Sequence, residues 1–543
     1  MDELFALDRV TSSTRNIKRH LIFKPYHVKG TEKVPLIPAE YISPQHIARL
    51  IDAVVNQLKI PHIYETYLGG GTTPYDPKMM LKVWLLGYSS RIYTGRRLAK
   101  ACRENLPFIW ISGRQMPDFR TLNRFRLRLK DDIQDIFGQV VRMGLEIGVI
   151  EGKDVFIDHT KMEANASKHK MVWGKQVKKR IEAIEKELED LYKKIDELNL
   201  AENKLYGDGD PFSDKEIEPE KMDELVERIR SKMKEKEMEK TKGREAKKSL
   251  KRLAELLRKR REYRAKKKIL NGRNSYSKTD TDAVAMMQKD GLSIKPGYNE
   301  GIAVENGVVI GVVCSQNSAD NVSFNELMDN VVENLDKKPE NVNADSAYGS
   351  CENMVRLTRD AIGNYLKYSM FHPEKKRNYT TSAIRRESFT YEPGPDRYLC
   401  VNGKYLEFEI EKVRKSATGF SETTRVYRAT PQDCRDCRFK SWCTKAESRQ
   451  IEVSPEWDKW KAEAKANLNS EKGWELRQRR GNQAESPFGQ RKGNLGYRRY
   501  FLRGKVKVTL EALLYYLGQN CEKYRLFILN MVQYDGNLLR AFG

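Results

Sequence analysis

Apolar and polar positions divide the chain into regions of different periodicity, and the first region, residues 1–150, reads as helical. The segment "DPKMMLKVWLLGYSSRI" carries a thick apolar face and opens with Asp76 and Pro77, which favour a helix start. The segment "MPDFRTLNRFRLRLK" predicts a later helix with Asp118 as its N-cap. We therefore expect a mostly helical N-terminal region.

Residues 171–270 are dense in Lys and Glu, and their apolar residues follow a heptad pattern. The segment "GDGDPFSD" at 207–214 breaks the first helix, and a second helical run follows it. The sequence predicts an antiparallel coiled-coil hairpin, and leaves open whether it contacts DNA or a partner or is a solvated spacer. The predicted seam consists of Ile181, Ile184, Leu188, Leu191, Ile195 and Leu198, then Met222, Leu225, Ile229, Leu250, Leu253 and Leu257.

After residue 271 the pattern changes to strands. "GIAVENGVVIGVVCS" alternates about a central "ENG", which predicts a β-hairpin. An amphipathic helix, "VSFNELMDNVVENL", precedes a short strand that leads into Asp345, and "NYLKYSM" predicts another strand. This succession indicates a mixed sheet with helices on its faces. Residues 371–455 contain further strand-like segments, and residues 456–543 read as helical.

Length and charge add expectations about domains and partners. A chain of 543 residues is too long for one ordinary core, so several domains are expected. A net charge of +24 favours a nucleic-acid partner over a basic surface that is merely solvated. Arg120, Arg124 and Arg126 lie on one predicted helix, which is either a DNA-reading helix or a solvated face.

The sequence also bears on location. No stretch approaches twenty uninterrupted apolar residues, so no membrane-spanning helix is predicted. The N-terminus lacks a basic flank followed by an apolar segment, so no signal peptide is expected. Both observations lead us to expect a cytoplasmic protein.

Four of the eight cysteines lie close together in the sequence. "CRDCRFKSWC" supplies Cys434, Cys437 and Cys443, and Cys400 lies upstream. A CxxC pair is a common zinc half-site, and four thiolates fit a structural Zn²⁺ in a reducing compartment. The alternatives are buried thiols in a small β subdomain or an oxidised pair.

Two acids follow short apolar runs, and each is predicted at the end of a strand. Asp158 follows Val155-Phe156-Ile157, and Asp345 follows Val342-Asn343-Ala344. Two carboxylates at one sheet edge repel each other and attract a divalent cation, for which Mg²⁺ is well suited. The ordinary alternative for each Asp is a turn or a helix cap.

A third acid, Glu485, lies among the basic residues Arg479, Arg480 and Lys492. Such a Glu is either a salt-bridged surface acid or a metal ligand surrounded by cations that bind phosphate. Because Pro487 has no amide hydrogen, a helix that carries Glu485 must begin near Ala484 or kink there.

These segments together resemble a known family. "FIDHTKMEANAS", "ADSAYGS" and "ESPFGQRK" are similar to the motifs of DDE transposases of bacterial insertion sequences, in particular the insertion-sequence 1182 group. "PYDPKMMLKVWLLGY" and "FRTLNRFR" resemble the N-terminal helical domain of the same family. The resemblance implies a ribonuclease-H-like core, shared with retroviral integrases, in which Asp158, Asp345 and Glu485 bind two Mg²⁺ or Mn²⁺ ions. It also implies that Arg480, Lys492 and Tyr348 position DNA.

The resemblance implies a transposase whose fold is of the α+β, or mixed α/β, class. We expect it to cleave transposon ends and to transfer the strands into target DNA by two-metal phosphoryl transfer. Its partners would be terminal inverted repeats and target DNA, and it would act as a homodimer. The alternatives are a non-catalytic DNA-binding protein derived from a transposase, and a ribonuclease-H-like nuclease without strand transfer.

The resemblance and the periodicity together predict four parts. They are a helical DNA-binding domain at 1–150; a catalytic core at 151–170 with 271–370 and 456–543; the coiled-coil hairpin insertion at 171–270; and a Cys-containing β-rich insertion at 371–455.

Overall fold

A mixed six-stranded sheet organises the fold of this computed structural model, which describes residues 37–67, 73–206, 240–288, 291–376, 384–416 and 418–534. The order of its strands is β4-β5-β1-β7-β8, and the sixth strand, β6, also pairs with β5. Strands β1, β7 and β8 are parallel, whereas β5 is antiparallel to its neighbours. The strands are β1 Asp154–Glu163, β4 Val284–Met287, β5 Ile294–Glu305, β6 Val308–Ser315, β7 Asn341–Ala344 and β8 Gly363–Leu366.

The predicted hairpin in this sheet is confirmed. Strand β5 ends at Glu305 and β6 begins at Val308, with Asn306 and Gly307 between them at φ of 51° and 78°. Two consecutive positive φ angles define the tight turn that suits the twist of paired strands, and Asn-Gly is its preferred sequence.

Helices precede the sheet, as the apolar pattern predicted. Asp76 caps the third of them by accepting a hydrogen bond from Met79 N at 2.9 Å, and Asp118 caps the sixth through Arg120 N at 2.8 Å. The helices are α1 Ile47–Gln57, α2 Pro61–Glu65, α3 Pro77–Ser89, α4 Gly95–Glu104, α5 Leu106–Ile111, α6 Phe119–Arg128 and α7 Ile133–Glu146.

Two long helices, α8 Gly174–Tyr206 and α9 Lys240–Leu270, form the predicted antiparallel pair. Ile184 and Leu188 are buried against residues of α9, and Arg252 and Arg260 pair with Glu187 and Glu185. The two-stranded sheet β2 Met171–Trp173 with β3 Ser275–Ser277 closes their base. The predicted break at 207–214, the seam residues Met222, Leu225 and Ile229, and the side chains of Ile195, Leu198 and Leu250 lie outside the described residues.

The remaining helices flank the sheet or follow it in the chain. The amphipathic helix predicted before Asp345 is confirmed as α10. The helices are α10 Phe324–Leu335, α11 Cys351–Arg359, α12 Pro431–Arg435, α13 Lys440–Cys443, α14 Pro455–Asn469, α15 Glu471–Arg480, α16 Ser486–Gly489 and α17 Lys505–Tyr534.

A second sheet of five strands, in the order β13-β12-β11-β10-β9, contains most of the strand-like segments predicted at 371–455. It has a small core of its own, which includes Phe389, Leu406 and Tyr427. Its strands are β9 Thr390–Glu392, β10 Arg397–Leu399, β11 Tyr405–Lys415, β12 Ser421–Arg428 and β13 Gln450–Val453.

The largest core joins the N-terminal helices to the sheet through the last helix. Helix α17 packs against α3, α7 and β6, and its residues Leu513 and Leu517 are buried in the same cluster as Leu81 and Val309. The predicted N-terminal domain therefore shares its apolar core with the predicted catalytic core. None of the described helices is both long enough and apolar enough to cross a membrane.

Candidate active site

Strands β1 and β7 bring two of the predicted acids side by side. The parallel pairing ends with Phe156 opposite Asn343, and Asp158 and Asp345 each stand two residues further along. Because side chains alternate along a strand, both carboxylates lie on the same face of the sheet as that last pair. The expectation that Asp158 ends its strand is wrong: β1 continues to Glu163, because β5 pairs with it along the other side from Phe156 to Glu163.

Asp345 stands at the tip of β7, as predicted. Its Oδ1 accepts a hydrogen bond from Ala347 N at 2.9 Å and so caps the 3₁₀ turn Ser346–Tyr348. The helix-cap alternative is therefore also correct for one oxygen. The other oxygen, Oδ2, faces Arg480 at 3.6 Å.

Glu485 lies where a continuous helical segment changes its winding. Helix α15 passes into a π-helical turn, Gly481–Glu485, and α16 and a second π turn, Gln490–Asn494, follow. The predicted irregularity near Pro487 is thus a π turn, a feature that is frequent at functional sites. Gln483 fixes this turn on the sheet, because its Oε1 accepts a hydrogen bond from Gly307 N at 2.7 Å.

One guanidinium links the three acids. Arg480 Nη2 lies 3.5 Å from Asp158 Oδ1 and 3.6 Å from Asp345 Oδ2, and Nη1 lies 3.3 Å from Glu485 Oε1. Arg480 is only 9% exposed. Lys367 is a second cation near Asp345 and Glu485. Three carboxylates beside two cations still leave an excess of negative charge, and such a site attracts further cations.

The donor set suits a hard divalent cation, since Mg²⁺ prefers carboxylate oxygens. Within the described residues, no group of three or more His, Cys, Asp or Glu side chains is arranged to hold a metal ion as it stands. The carboxylates of Asp158, Asp345 and Glu485 instead surround Arg480, whose guanidinium supplies the positive charge that a metal ion would otherwise supply.

His159, a residue that we did not predict, links the strand that carries Asp158 to the turn that follows Asp345. Its two ring nitrogens are hydrogen-bonded to the hydroxyls of Tyr348 and Ser323. Burial lowers the pKa of His159 to about 4 and raises that of Tyr348 well above its usual value, so both are neutral near pH 7. Gly301 makes room for the ring, because a Cβ at that position would overlap it. The feature of the sequence that could have indicated this role is the position of His159 directly after Asp158.

Tyr348 was predicted to position DNA, but it is fully buried. Its hydroxyl contacts His159, and its ring packs near Phe324. This position favours support of the Asp345 turn over direct contact with DNA.

Two other residues that were predicted to contact DNA, Lys492 and Arg479, instead hold the helical segment that carries Glu485 against β1. Lys492 Nζ donates to Thr160 Oγ1 at 2.6 Å and to the carbonyl of Lys161 at 2.7 Å. Arg479 donates to Asp154 Oδ2 at 2.9 Å. Burial alone would raise the pKa of Asp154, but hydrogen bonds, above all from Lys472, hold it below its usual value.

The arginines of α6 divide into two groups. Arg120 and Arg124 are exposed and lie one helical turn apart. Arg126 is buried, and its guanidinium lies 4.4 Å from the centre of the Trp84 ring. The structure thus leaves two of the three predicted DNA contacts accessible and places the third in the core.

The cysteine cluster forms part of the small sheet domain. Cys400 and Cys434 pack against its core, and all eight cysteines of the chain are free thiols, so no oxidised pair is present. Burial raises the pKa of Cys443, and the neighbouring thiols of Cys434, Cys437 and Cys400 raise it further. The four sulfur atoms therefore lie near one another, although their present arrangement is not that of a metal site.

Two family models match the chain. One, described as a transposase domain (DUF772), covers residues 38–128, and the other, a transposase DDE domain, covers residues 399–525. The second match includes Arg480, Glu485 and Lys492, whereas Asp158 and Asp345 lie outside both matches. Comparisons with curated proteins and with solved structures gave no significant match.

The two matches indicate a transposase, and the mixed α/β architecture fits a ribonuclease-H-like DDE domain. More particularly, they support a DDE transposase of an insertion sequence, as the sequence motifs indicated.

Proposed function

We propose that this transposase cleaves phosphodiester bonds at the ends of its element and joins the freed ends to target DNA. In this proposal Asp158, Asp345 and Glu485 are the catalytic carboxylates. The observation that carries it is the convergence of these acids, from residues far apart in the sequence, around Arg480. Transposases act on DNA, and the net charge of +24 suits that partner.

The three carboxylates would hold Mg²⁺ or Mn²⁺, and we propose two ions. When bound, such ions activate the attacking oxygen and stabilise the leaving oxygen of an in-line displacement. The protein's own contribution is position. The register of β1 with β7 sets the spacing of the two Asp residues, and Gln483 and Lys492 fix the helix that carries Glu485.

Arg480 has a balancing role in this proposal. Without it, three carboxylates at short range would repel one another and spread apart. With it, they stay grouped while DNA is absent. The His159–Tyr348 hydrogen bond ties the turn after Asp345 to the strand that carries Asp158, so it supports the same spacing.

We further propose a homodimer, because joining requires two DNA ends to be held together. The exposed Arg120 and Arg124 on α6 are the proposed phosphate contacts of the N-terminal region. The four clustered cysteines are proposed to bind one structural Zn²⁺, which would draw the thiols closer to one another.

Cleavage of a labelled DNA end from the element, in Mg²⁺, tests the proposal. Asp158→Asn, Asp345→Asn and Glu485→Gln are each expected to bind the DNA like the wild type and to cut it at least about 100-fold more slowly, because a preorganised electrostatic group is lost. Glu475→Gln is the matched control. Glu475 lies on α15 but pairs with Lys472 and Arg479 rather than with Arg480.

The alternatives predict different outcomes in the same assay. A chain that binds the ends but cuts none of them, in Mg²⁺ or Mn²⁺, is a DNA-binding protein derived from a transposase. A chain that cuts but never joins a 3′ end to target DNA is a nuclease of the ribonuclease-H-like class.

A further inference from the structure

A groove of about 590 Å³ lies at the base of the α8–α9 hairpin, and none of the three acids lines it. Its lining includes four basic side chains and no acidic one. Two aromatic residues, Trp173 and Tyr263, also line it. The basic residues are Lys179, Arg180, Lys266 and Lys278.

The positive charge of the groove is largely uncompensated. Lys266 pairs with Glu262 and lies 4.1 Å from the centre of the Tyr263 ring. Lys179, Arg180 and Lys278 form no ion pair with any described residue. Glu262, which also interacts with Lys278, offsets only part of this charge. A concave surface with a net positive charge attracts a polyanion, and phosphate is the group it would bind.

Trp173 supplies the second feature. It is 39% exposed, although the backbone around it is well ordered by hydrogen bonds. Strand β2 pairs Trp173 with Ser275, and the next residue, Gly174, donates to Asn274 O at 2.8 Å. A separate apolar cluster that includes Val172, Val177 and Tyr276 supports the groove from below. The indole is thus held at the surface on a firm base.

A short connection joins the strand that carries Asp158 to β2, which lines the groove. Strand β1 ends at Glu163, and β2 begins at Met171, at most about 30 Å further on for an extended chain. Arg499 and Arg503 hold the connection through the carbonyls of Ala164 and Asn165, at 3.1 and 2.8 Å. These arginines add positive charge between the candidate active site and the groove.

We propose that this groove binds a short unpaired DNA strand, with a base stacked on Trp173 and phosphates at Lys179, Arg180 and Lys278. Basic grooves with exposed aromatic side chains suit single strands, because every base has a face that stacks. Contacts to a duplex backbone would not need the indole. The inference rests on the proposed function, since cutting and joining strands at the three acids leaves unpaired DNA.

The test is a binding titration of the full chain with a labelled single-stranded oligonucleotide and with its duplex, followed by fluorescence anisotropy. Trp173→Ala is expected to bind the single strand roughly 5- to 150-fold more weakly, as for the loss of one stacked base, and to leave duplex binding unchanged. Trp173→Phe is expected to retain most of the affinity. Trp442→Ala is the matched control, because Trp442 is 73% exposed but lies on α13.

Stacking is separated from charge by removing the bases. On an oligonucleotide with abasic positions, the loss caused by Trp173→Ala is expected to disappear. The Lys179→Ala/Arg180→Ala variant is expected to lower the slope of log K against log salt by about 0.7 for each phosphate that the protein no longer binds. Lys178→Ala is its control, because Lys178 pairs with Glu182 and does not line the groove.

Three results would overturn the proposal: Trp173→Ala binds the single strand like the wild type; it weakens single-strand and duplex binding equally; or it changes oligomeric state without DNA, which would make the groove a protein interface. Each is distinct from failure of the proposed function. Binding is measured without cleavage, and loss of activity by the Asp345→Asn variant leaves it unaffected.

Discussion

Replacing Arg480 with Gln tests whether the three acids form one cation site. The guanidinium reaches all three carboxylates at 3.3 to 3.6 Å. The contact with Asp158 dominates, because both side chains are nearly buried, and breaking a buried pair costs about 3–5 kcal/mol. Glu485 is 61% exposed, so its pair adds less than about 1 kcal/mol. The Arg480→Gln variant should therefore unfold at a temperature lower by about 3–5 °C when divalent cations are chelated, because the unfolding entropy of a chain of 543 residues is large.

Magnesium should reverse much of this loss. In the variant only Lys367 remains as a counter-charge near Asp345 and Glu485, so Mg²⁺ should bind the carboxylates more tightly than in the wild type. A ligand at 100 times its dissociation constant stabilises a fold by about 2.7 kcal/mol. Thermal unfolding with EDTA and with Mg²⁺, followed by a fluorescent dye, measures both effects.

Arg477→Gln is the matched control on the same helix. Its guanidinium donates to Gly473 O at 3.1 Å and lies 5.3 Å from the centre of the Phe371 ring. It is expected to lose little stability and to respond to Mg²⁺ like the wild type. If Arg480→Gln and the wild type gain equally from Mg²⁺, the reasoning about a shared cation site is refuted.

The remaining predictions concern the support of the site, the pH response, DNA contacts and zinc. Tyr348→Phe leaves one buried nitrogen of His159 without a partner, so it should cost about 1–3 kcal/mol of stability and raise the Mg²⁺ concentration needed for half-maximal cleavage. Burial lowers the pKa of His159 to about 4 from 6.5, so its contribution to stability should be complete above pH 6.5 and decrease by up to about 3 kcal/mol as the pH falls to 4; His159→Gln should remove this part of the pH profile in chemical denaturation. Arg120→Ala and Arg124→Ala should each reduce the salt slope of duplex binding by about 0.9. Purified protein should contain one Zn²⁺ per chain by metal analysis, and Cys437→Ser should lose it.

Each of these predictions has a result that contradicts it. An unchanged Mg²⁺ requirement in Tyr348→Phe would show that the hydrogen bond does not set the spacing of the acids. Parallel pH curves for His159→Gln and the wild type would mean that folding does not change the pKa of His159. An unchanged salt slope would remove α6 from the DNA interface. If the wild type contains no zinc and is fully stable, the four cysteines are ordinary thiols.

Much of the fold followed from local signals in the sequence. Asp76 and Asp118 cap their helices as predicted, and Asn306-Gly307 makes the predicted hairpin turn. These features depend on neighbours within a few residues, so the sequence contains the information directly.

Features that depend on distant partners were not predictable. The length of β1 beyond Asp158 is set by β5, which follows more than a hundred residues later. Arg126 looked like its exposed neighbours, but Trp84 covers it. The buried pair of Glu300 with Arg491 was not expected either, and several tyrosines enclose it. No local pattern distinguishes a buried arginine from a surface one before the packing is known.

The last helix, α17, has a consequence for synthesis on the ribosome. The N-terminal helices α3 and α7 bury their apolar faces against it, yet it is made only after some 500 residues. These faces must therefore wait, exposed or protected by chaperones, until α17 has been synthesised. A message cut short before codon 505 should yield a chain that is degraded rather than a stable DNA-binding fragment. Folding of the N-terminal helices thus depends on a segment that follows α7 by more than 350 residues.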